Sequence, residues 1–174
     1  SRQRCGAAEG RAANRAALLS AARELFDTEG LDVPLSAIAP RAGVGQGSLY
    51  RHFPDLGSLA VAVFEENVRE FEELGASPTS TAEDMLRLLT EHAVRSAAFV
   101  QLVLSGPLDD GLVEIADRVT AVIVEKAETS ALPLTSTDDL WLGLSMVASV
   151  VATAPVDRRR EIAERAWELL GVSL

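Results

Sequence analysis

The stretch Ile38-Ala39-Pro40-Arg41-Ala42-Gly43-Val44-Gly45-Gln46-Gly47-Ser48-Leu49-Tyr50-Arg51-His52-Phe53 constrains this chain more than any other. Ile38, Ala39 and Ala42 give one apolar face of a short helix. Gly43 follows, where a helix C-terminus favours a left-handed residue, and Val44 reads as a buried turn residue. Leu49 and Phe53 then stand four apart on one face of a second short helix. The opposite face carries Gln46, Ser48, Tyr50 and Arg51, with His52 at its end. All of these can hydrogen-bond to phosphates or base edges, and none is acidic. Two helices joined by a short glycine-containing turn make a helix-turn-helix, whose second helix enters the DNA major groove. A hairpin buried in some other helical core would not need Tyr50 and His52 on an exposed face.

Residues 42–54, Ala-Gly-Val-Gly-Gln-Gly-Ser-Leu-Tyr-Arg-His-Phe-Pro, resemble the signature of TetR-family transcriptional regulators. The similarity reaches back through the preceding helix to Pro34 and forward to Leu59. The resemblance implies an all-α fold of about nine helices, with a three-helix DNA reader over residues 1–55. A helical regulatory, ligand-binding and dimerisation body would follow over 56–174. It places Gln46, Ser48 and Tyr50 at the groove and its walls, and His52 and Ser36 at phosphates. Gly45, Gly47 and Arg51 complete the expected contact set, Gly47 because a residue without a side chain lets backbone come close to DNA. Two positions depart from the family pattern. Gly45 stands where relatives often carry Ser, and Leu56 where a phosphate-contacting Lys is usual, which implies a shallower salt dependence.

A net charge of −10 looks wrong for such a protein until the chain is divided. Residues 1–55 hold seven arginines against six acids, whereas residues 56–174 carry a net charge of −11. Phosphates attract the first block relative to the second. The single cysteine, Cys5, excludes an intrachain disulfide and fits a reducing cytoplasm. The polar, Arg-rich N-terminus has no apolar signal segment.

Residues 1–12 read as a mobile polar arm, in which Arg2, Arg4 and Arg11 either reach DNA or are simply solvated. A first helix is expected from Asn14 to Thr28, stopped by Gly30. A fourth runs from Asp55 to Leu74, stopped by Gly75. A fifth starts near Thr81 and continues to Leu104, with Asp84, Arg87, Glu91 and Arg95 on its wet side. The break Ser105-Gly106-Pro107 ends it. Another helix spans Asp110 to Thr129, and a loop follows at Ala131–Thr135. A capping cluster at Thr135–Asp139 opens the next helix. The last runs from Pro155 to Leu170, with Ile162, Ala166, Leu169 and Leu170 inward and Gly171 as its stop. The run Arg158-Arg159-Arg160 reads as a solvated face.

From Leu140 to Ala154 no residue is charged. A helix apolar all round must be covered all round, and fifteen residues are too few for a membrane span, which needs about 20. This points to a two-fold homodimer through Leu144, Ser145, Ala148, Ser149 and Ala152, with Ile162, Ala166 and Leu169 of the last helix. A stripe of Met85, Leu88, His92, Ser96 and Phe99, closed by Phe64, Phe71 and Trp141, suits a small, largely apolar effector with one or two polar atoms. His92 is either a ligand contact or a core residue, and Trp141 either a core or interface filler or a ligand surface. Two histidines forty residues apart and one cysteine argue against zinc, and no cofactor motif or catalytic constellation is present. The reading is a regulator and not an enzyme. It acts as a repressor on a palindromic operator and is released by a small molecule. The alternative is a DNA-binding regulator of the same fold without an effector, and an enclosed body cavity of about 300 Å³ or more, lined by the fifth, seventh and eighth helices, discriminates the two.

Overall fold

The computed structural model describes residues 2–105, 110–128, 130, 132–133 and 136–174, with side chains from residue 9 onward. Those residues form α1 (Arg2–Glu29), α2 (Leu35–Ala42), α3 (Gln46–His52), α4 (Leu56–Ala76), α5 (Ala82–Arg95), α6 (Ala97–Ser105), α7 (Asp110–Ala127), α8 (Thr137–Thr153) and α9 (Arg159–Leu169). Short 3-10 turns at Gly30–Asp32 and Val156–Arg158 precede α2 and α9. The all-α expectation holds, with nine helices and no strand among the described residues. The side chains of Arg2, Arg4 and Cys5, the break at Gly106-Pro107, and Ala131, Leu134 and Thr135 lie outside them.

Local chemistry explains where several helices begin. Asp55 caps α4, its Oδ1 accepting from Ser58 N at 2.7 Å. Thr81 caps α5 through Asp84 N at 3.2 Å, and Asp84 returns the favour by accepting from Thr81 N at 2.9 Å. Ser136 caps α8, accepting from Asp139 N at 3.1 Å. Gly43 ends α2 with φ 67°, in the left-handed region its missing Cβ makes accessible.

Four expectations need correction. Residues 2–12 belong to α1 and are not a free arm, because Ala7, Ala8, Ala12 and Ala13 favour helix and the packed part propagates it. The expected single helix from Thr81 to Leu104 is two helices. Ser96 breaks it with φ −118° and ψ 114°, and its Oγ accepts from Phe99 N at 3.4 Å to start α6. Gly75 does not stop α4 but lies inside it. Leu169 is 75% exposed and not inward, whereas Trp167 is fully buried. Its Nε1 donates to Thr90 Oγ1 at 2.7 Å, and Thr90 Oγ1 donates to Leu86 O at 2.7 Å. That chain satisfies every buried polar atom it uses and fixes α9 on α5.

Two apolar cores support the fold. The first packs Leu18, Ala22 and Phe26 of α1 against Ile38, Leu49 and Phe53, and runs on through Leu59, Val63 and Phe64 of α4 to Ala98 of α6 and Leu112 and Ile115 of α7. It therefore crosses residue 55 without a gap. The second fills the body around Phe71, Met85, Leu89, Val147 and Trp167.

Helices α4 and α7 pack tightly where Gly75 faces Val122. A Cβ at Gly75 would stand 2.3 Å from Val122 Cγ1. Gly75→Ala is expected to destabilise the fold by about 1–3 kcal/mol through overpacking, and Gly75→Ala with Val122→Ala to recover part of that loss. Urea midpoints of the three proteins check this.

Candidate nucleic-acid interface and internal cavity

The reader face is built on α2 and α3. Pro40 sits inside α2 and has no N–H to give the carbonyl of Ser36, four residues before it. Gln46 supplies the missing donor, its Nε2 reaching Ser36 O at 2.7 Å. Ser36 and Gln46 are thus brought together through the Ser36 backbone. Beside them, Ser48 Oγ accepts from Asn14 Nδ2 of α1 at 3.4 Å. Arg51 Nε donates to Gly47 O at 3.0 Å. Tyr50 is 50% exposed, and His52 stands half-buried at the helix end. A Cβ at Gly45 or Gly47 would meet no atom within 4 Å, so packing within the protein demands neither glycine. Val44 is half-buried and not fully covered.

Charge is distributed unevenly around this face. Arg41 is paired with Glu24 at 2.7 Å, and Arg23 with Glu66. Arg15 lies over the Phe53 ring at 5.5 Å and holds the base of α3. Asn14 was not legible as part of this face, because nothing in the α1 periodicity sets it apart. Only the folded contact with Ser48 reveals it.

The body holds a cavity of about 270 Å³, slightly under the expected size. α6 contributes Phe99, Leu102 and Val103 to its wall, α7 contributes Val119 and Thr120, and α8 contributes Trp141. Trp141 Nε1 donates to Thr120 Oγ1 at 3.0 Å, so its polar edge is satisfied while its ring faces the space. A second chamber of about 40 Å³ lies on the other side of Phe99, lined by Phe64, Asn67, Phe71 and His92. The structure thus gathers Phe64, Phe71, His92 and Phe99 around the inner chamber, and Phe99 and Trp141 around the outer one. Met85 is fully buried in the core and Leu88 is half-buried, and neither lines a chamber. Ser96 caps α6. Most of the residues missed belong to α6 and α7, with Leu89 of α5 and Asn67 of α4; those of α6 were hidden because the break at Ser96 has no hydropathy signature.

His92 is 3% exposed, with its ring 5.9 Å from that of Phe99. Its Nε2 has no hydrogen-bond partner among the described residues, and Glu70 Oε2 lies 4.0 Å away. Burial pushes its pKa below the ordinary 6.5, reinforced by Arg95 and opposed by Glu70.

On the exposed side of α8 stand Leu142, 60% exposed, Met146, 48% exposed, and Val150. Ser149 and Ala152 are also exposed, and Ser145 is half-buried. Leu144 and Ala148 turn the other way, into the chain's own core. Ile162 and Ala166 are half-buried on α9. No group of three or more His, Cys, Asp or Glu able to hold a metal occurs among the described residues. No helix there is long and apolar enough to cross a membrane.

A helix-turn-helix continuous with a hollow helical body is the architecture these elements define. Residues 18–63 match the bacterial regulatory proteins of the tetR family. An HTH-type transcriptional regulator of Staphylococcus aureus strain bovine RF122 / ET3-1 is 37% identical over 59 residues, 33% of this chain and 32% of that protein. Another, from strain USA300, is 30% identical over 101 residues, 53% of this chain and 55% of that protein. The chain spans about half the length, or less, of the curated relatives it matches. Among solved structures, a gamma-butyrolactone receptor described as an ArpA-like protein is 25% identical, with a TM-score of 0.61 over 92% of this chain and 87% of that one. The TetR family protein CprB of S. coelicolor A3(2) is also 25% identical, with a TM-score of 0.62 over 92% and 87%. Over residues 18–63, which hold the reader, the chain matches the tetR family, and its all-α fold is similar to that of the TetR family protein CprB.

The imidazole at position 92 gives a pH test. Folding holds it neutral, while the unfolded ring takes a proton below about pH 6.5. Unfolding in acid therefore takes up a proton, so the His92 contribution is present above that pH and is lost as pH falls. The urea midpoint should drop between neutrality and about pH 5 by more in the wild type than in His92→Phe.

Proposed function

We propose that this protein is a transcriptional regulator, acting as a repressor, that binds a palindromic operator as a homodimer and is released by a small, largely apolar effector. α6 carries the reading. One of its faces walls the cavity through Phe99, Leu102 and Val103, and on the same short helix Gln101 holds the turn that follows α1. Gln101 Oε1 accepts from Leu31 N at 2.7 Å, and its Nε2 donates to Asp32 Oδ2 at 3.2 Å. An effector that displaces α6 displaces that turn. Arg118 of α7 adds a second link. It forks to Glu65 at 2.8 Å and Glu72 at 2.8 Å, both on α4. Hydrogen bonding to Arg118 holds the Glu72 carboxyl below its usual range.

In this reading Gln46, Ser48 and Tyr50 meet the groove. Ser36, Arg51 and His52 meet the phosphate backbone, and Gly45 and Gly47 let it approach. The half-sites lie about one helical turn, ~34–36 Å, apart. The effector fills the outer cavity against Trp141 and Phe99, with the inner chamber and His92 available to one polar atom. The gamma-butyrolactone named for one structural neighbour is a small molecule of this kind, and the cavity has room for a compact ligand. Coupling of ~1–3 kcal/mol would lower operator affinity ~5–150-fold. The dimer uses the exposed side of α8, with Ser145, Ser149 and Ala152, together with Ile162, Ala166 and Leu169 of α9, as a four-helix bundle.

Selection from random duplexes followed by binding assays tests the reader. Tyr50→Ala should weaken binding to every sequence about tenfold, and Gln46→Ala should change the preferred sequence. A Tyr50→Ala protein with unaltered affinity and salt slope would refute the docking.

Sedimentation tests the assembly. The wild type should be a dimer at micromolar concentration, and Leu142→Glu with Met146→Glu should leave a folded monomer. Wild-type protein that sediments as a monomer would refute the dimer.

A further inference from the structure

α6 borders a second space. Opposite the cavity, between α6 and the corner where α8 gives way to α9, an open groove of about 300 Å³ runs along Ala97, Val100, Gln101 and Leu104. Ser105 stands at one end, Ala152 at the rim, and Arg159 across from α6. The floor is apolar, and no carboxylate lines it among the described residues.

The three consecutive arginines here do not form one solvated face. Arg158 pairs with Glu161 at 3.0 Å, and Arg160 pairs with Glu91. Arg159 has no hydrogen bond or ion pair among the described residues. It is half-buried, and its Nε is buried with no partner. The reason is its register. Arg159 starts the stripe that continues at Ala163 and Trp167, the side of α9 turned toward the body. A charge at the first inward position of a helix, with its two neighbours neutralised and itself left open in a groove, is a cation lacking its anion. A planar guanidinium presents a fork that fits a carboxylate with two parallel hydrogen bonds.

We propose that this groove is a binding site, separate from the internal cavity, for a small amphipathic carboxylate. The carboxylate lies on Arg159 and the short apolar tail lies along Val100 and Leu104. The site does not depend on the cavity having an effector. It does touch the reader, because Gln101 lines the groove and also accepts from Leu31 N. Occupancy of the groove therefore bears on the same turn that cavity occupancy bears on.

Sodium octanoate, 1-octanol and sodium phosphate serve as probes, titrated calorimetrically into the 174-residue chain at neutral pH. Octanoate should bind and raise Tm. Octanol lacks the charge and phosphate lacks the tail, and each should bind at least about tenfold more weakly. Arg159→Met keeps the aliphatic stem and should cost octanoate about tenfold or more in affinity. Arg159→Lys should fall between, and Arg158→Met should match the wild type. Because Arg159→Met removes an unpaired half-buried charge, its own Tm should equal or exceed that of the wild type. Trp141 lines the cavity and not the groove, so its fluorescence should not change with octanoate.

Four results would overturn the site. Octanoate could fail to bind at millimolar concentration, or bind Arg159→Met as well as wild type while quenching Trp141, which places it in the cavity. Phosphate could bind as tightly as octanoate, which reduces the groove to a bare anion contact. Arg159→Met could lower Tm or the sedimentation coefficient, which makes Arg159 a structural partner within the assembly.

Discussion

A buried backbone N–H must find an acceptor, and at Leu31 that requirement joins the two ends of the protein. Leu31 follows the last turn of α1, is 4% exposed, and donates to a side chain seventy residues away. Gln101 can accept there only because Gly30 has no Cβ, which would stand 2.8 Å from the same oxygen. The position of α6 is therefore fixed by a polar contact at one point and by packing everywhere else. Losing that contact would leave a buried donor unsatisfied, at about 1–3 kcal/mol. A nine-residue helix with spaces on two sides is held at that point.

The reader was legible because its signals are local. Gly43 reaches its left-handed conformation, Leu49 and Phe53 face the core, and Tyr50 faces out, all within sixteen residues that fold on one another. The helix caps were legible for the same reason, since a Thr or Asp three residues before its partner needs no tertiary context. The body was less so. Periodicity placed Leu88 inward where the folded α5 turns Leu89 inward, a shift of one residue that a 100° step makes hard to resolve. The break at Ser96 leaves the hydropathy of 81–104 unchanged. Gly75 looks like a stop in the sequence because only Val122, nearly fifty residues on, shows why no side chain is tolerated.

The charges follow a similar division. The acidic body is not uniformly solvated. Glu65 and Glu72 straddle Arg118, and Glu91 holds Arg160, so several acids that weigh on the net charge are tied up in bonds between helices. Surface pairs of this kind add little to stability singly. A two-sided fork such as that of Arg118 does more to set the angle between α4 and α7 than to raise the melting temperature.

The proline inside α2 has a consequence for how α3 meets any surface. A long, flexible side chain ordinarily loses rotamer entropy when it is captured, about 0.5–1.5 kcal/mol for each one immobilised. Gln46 has already lost that freedom, because the carbonyl that Pro40 leaves open restrains its amide. The ordering falls on folding and not on association. A helix of seven residues, too short to hold its own conformation in water, thereby presents one of its outward groups with its torsions already chosen.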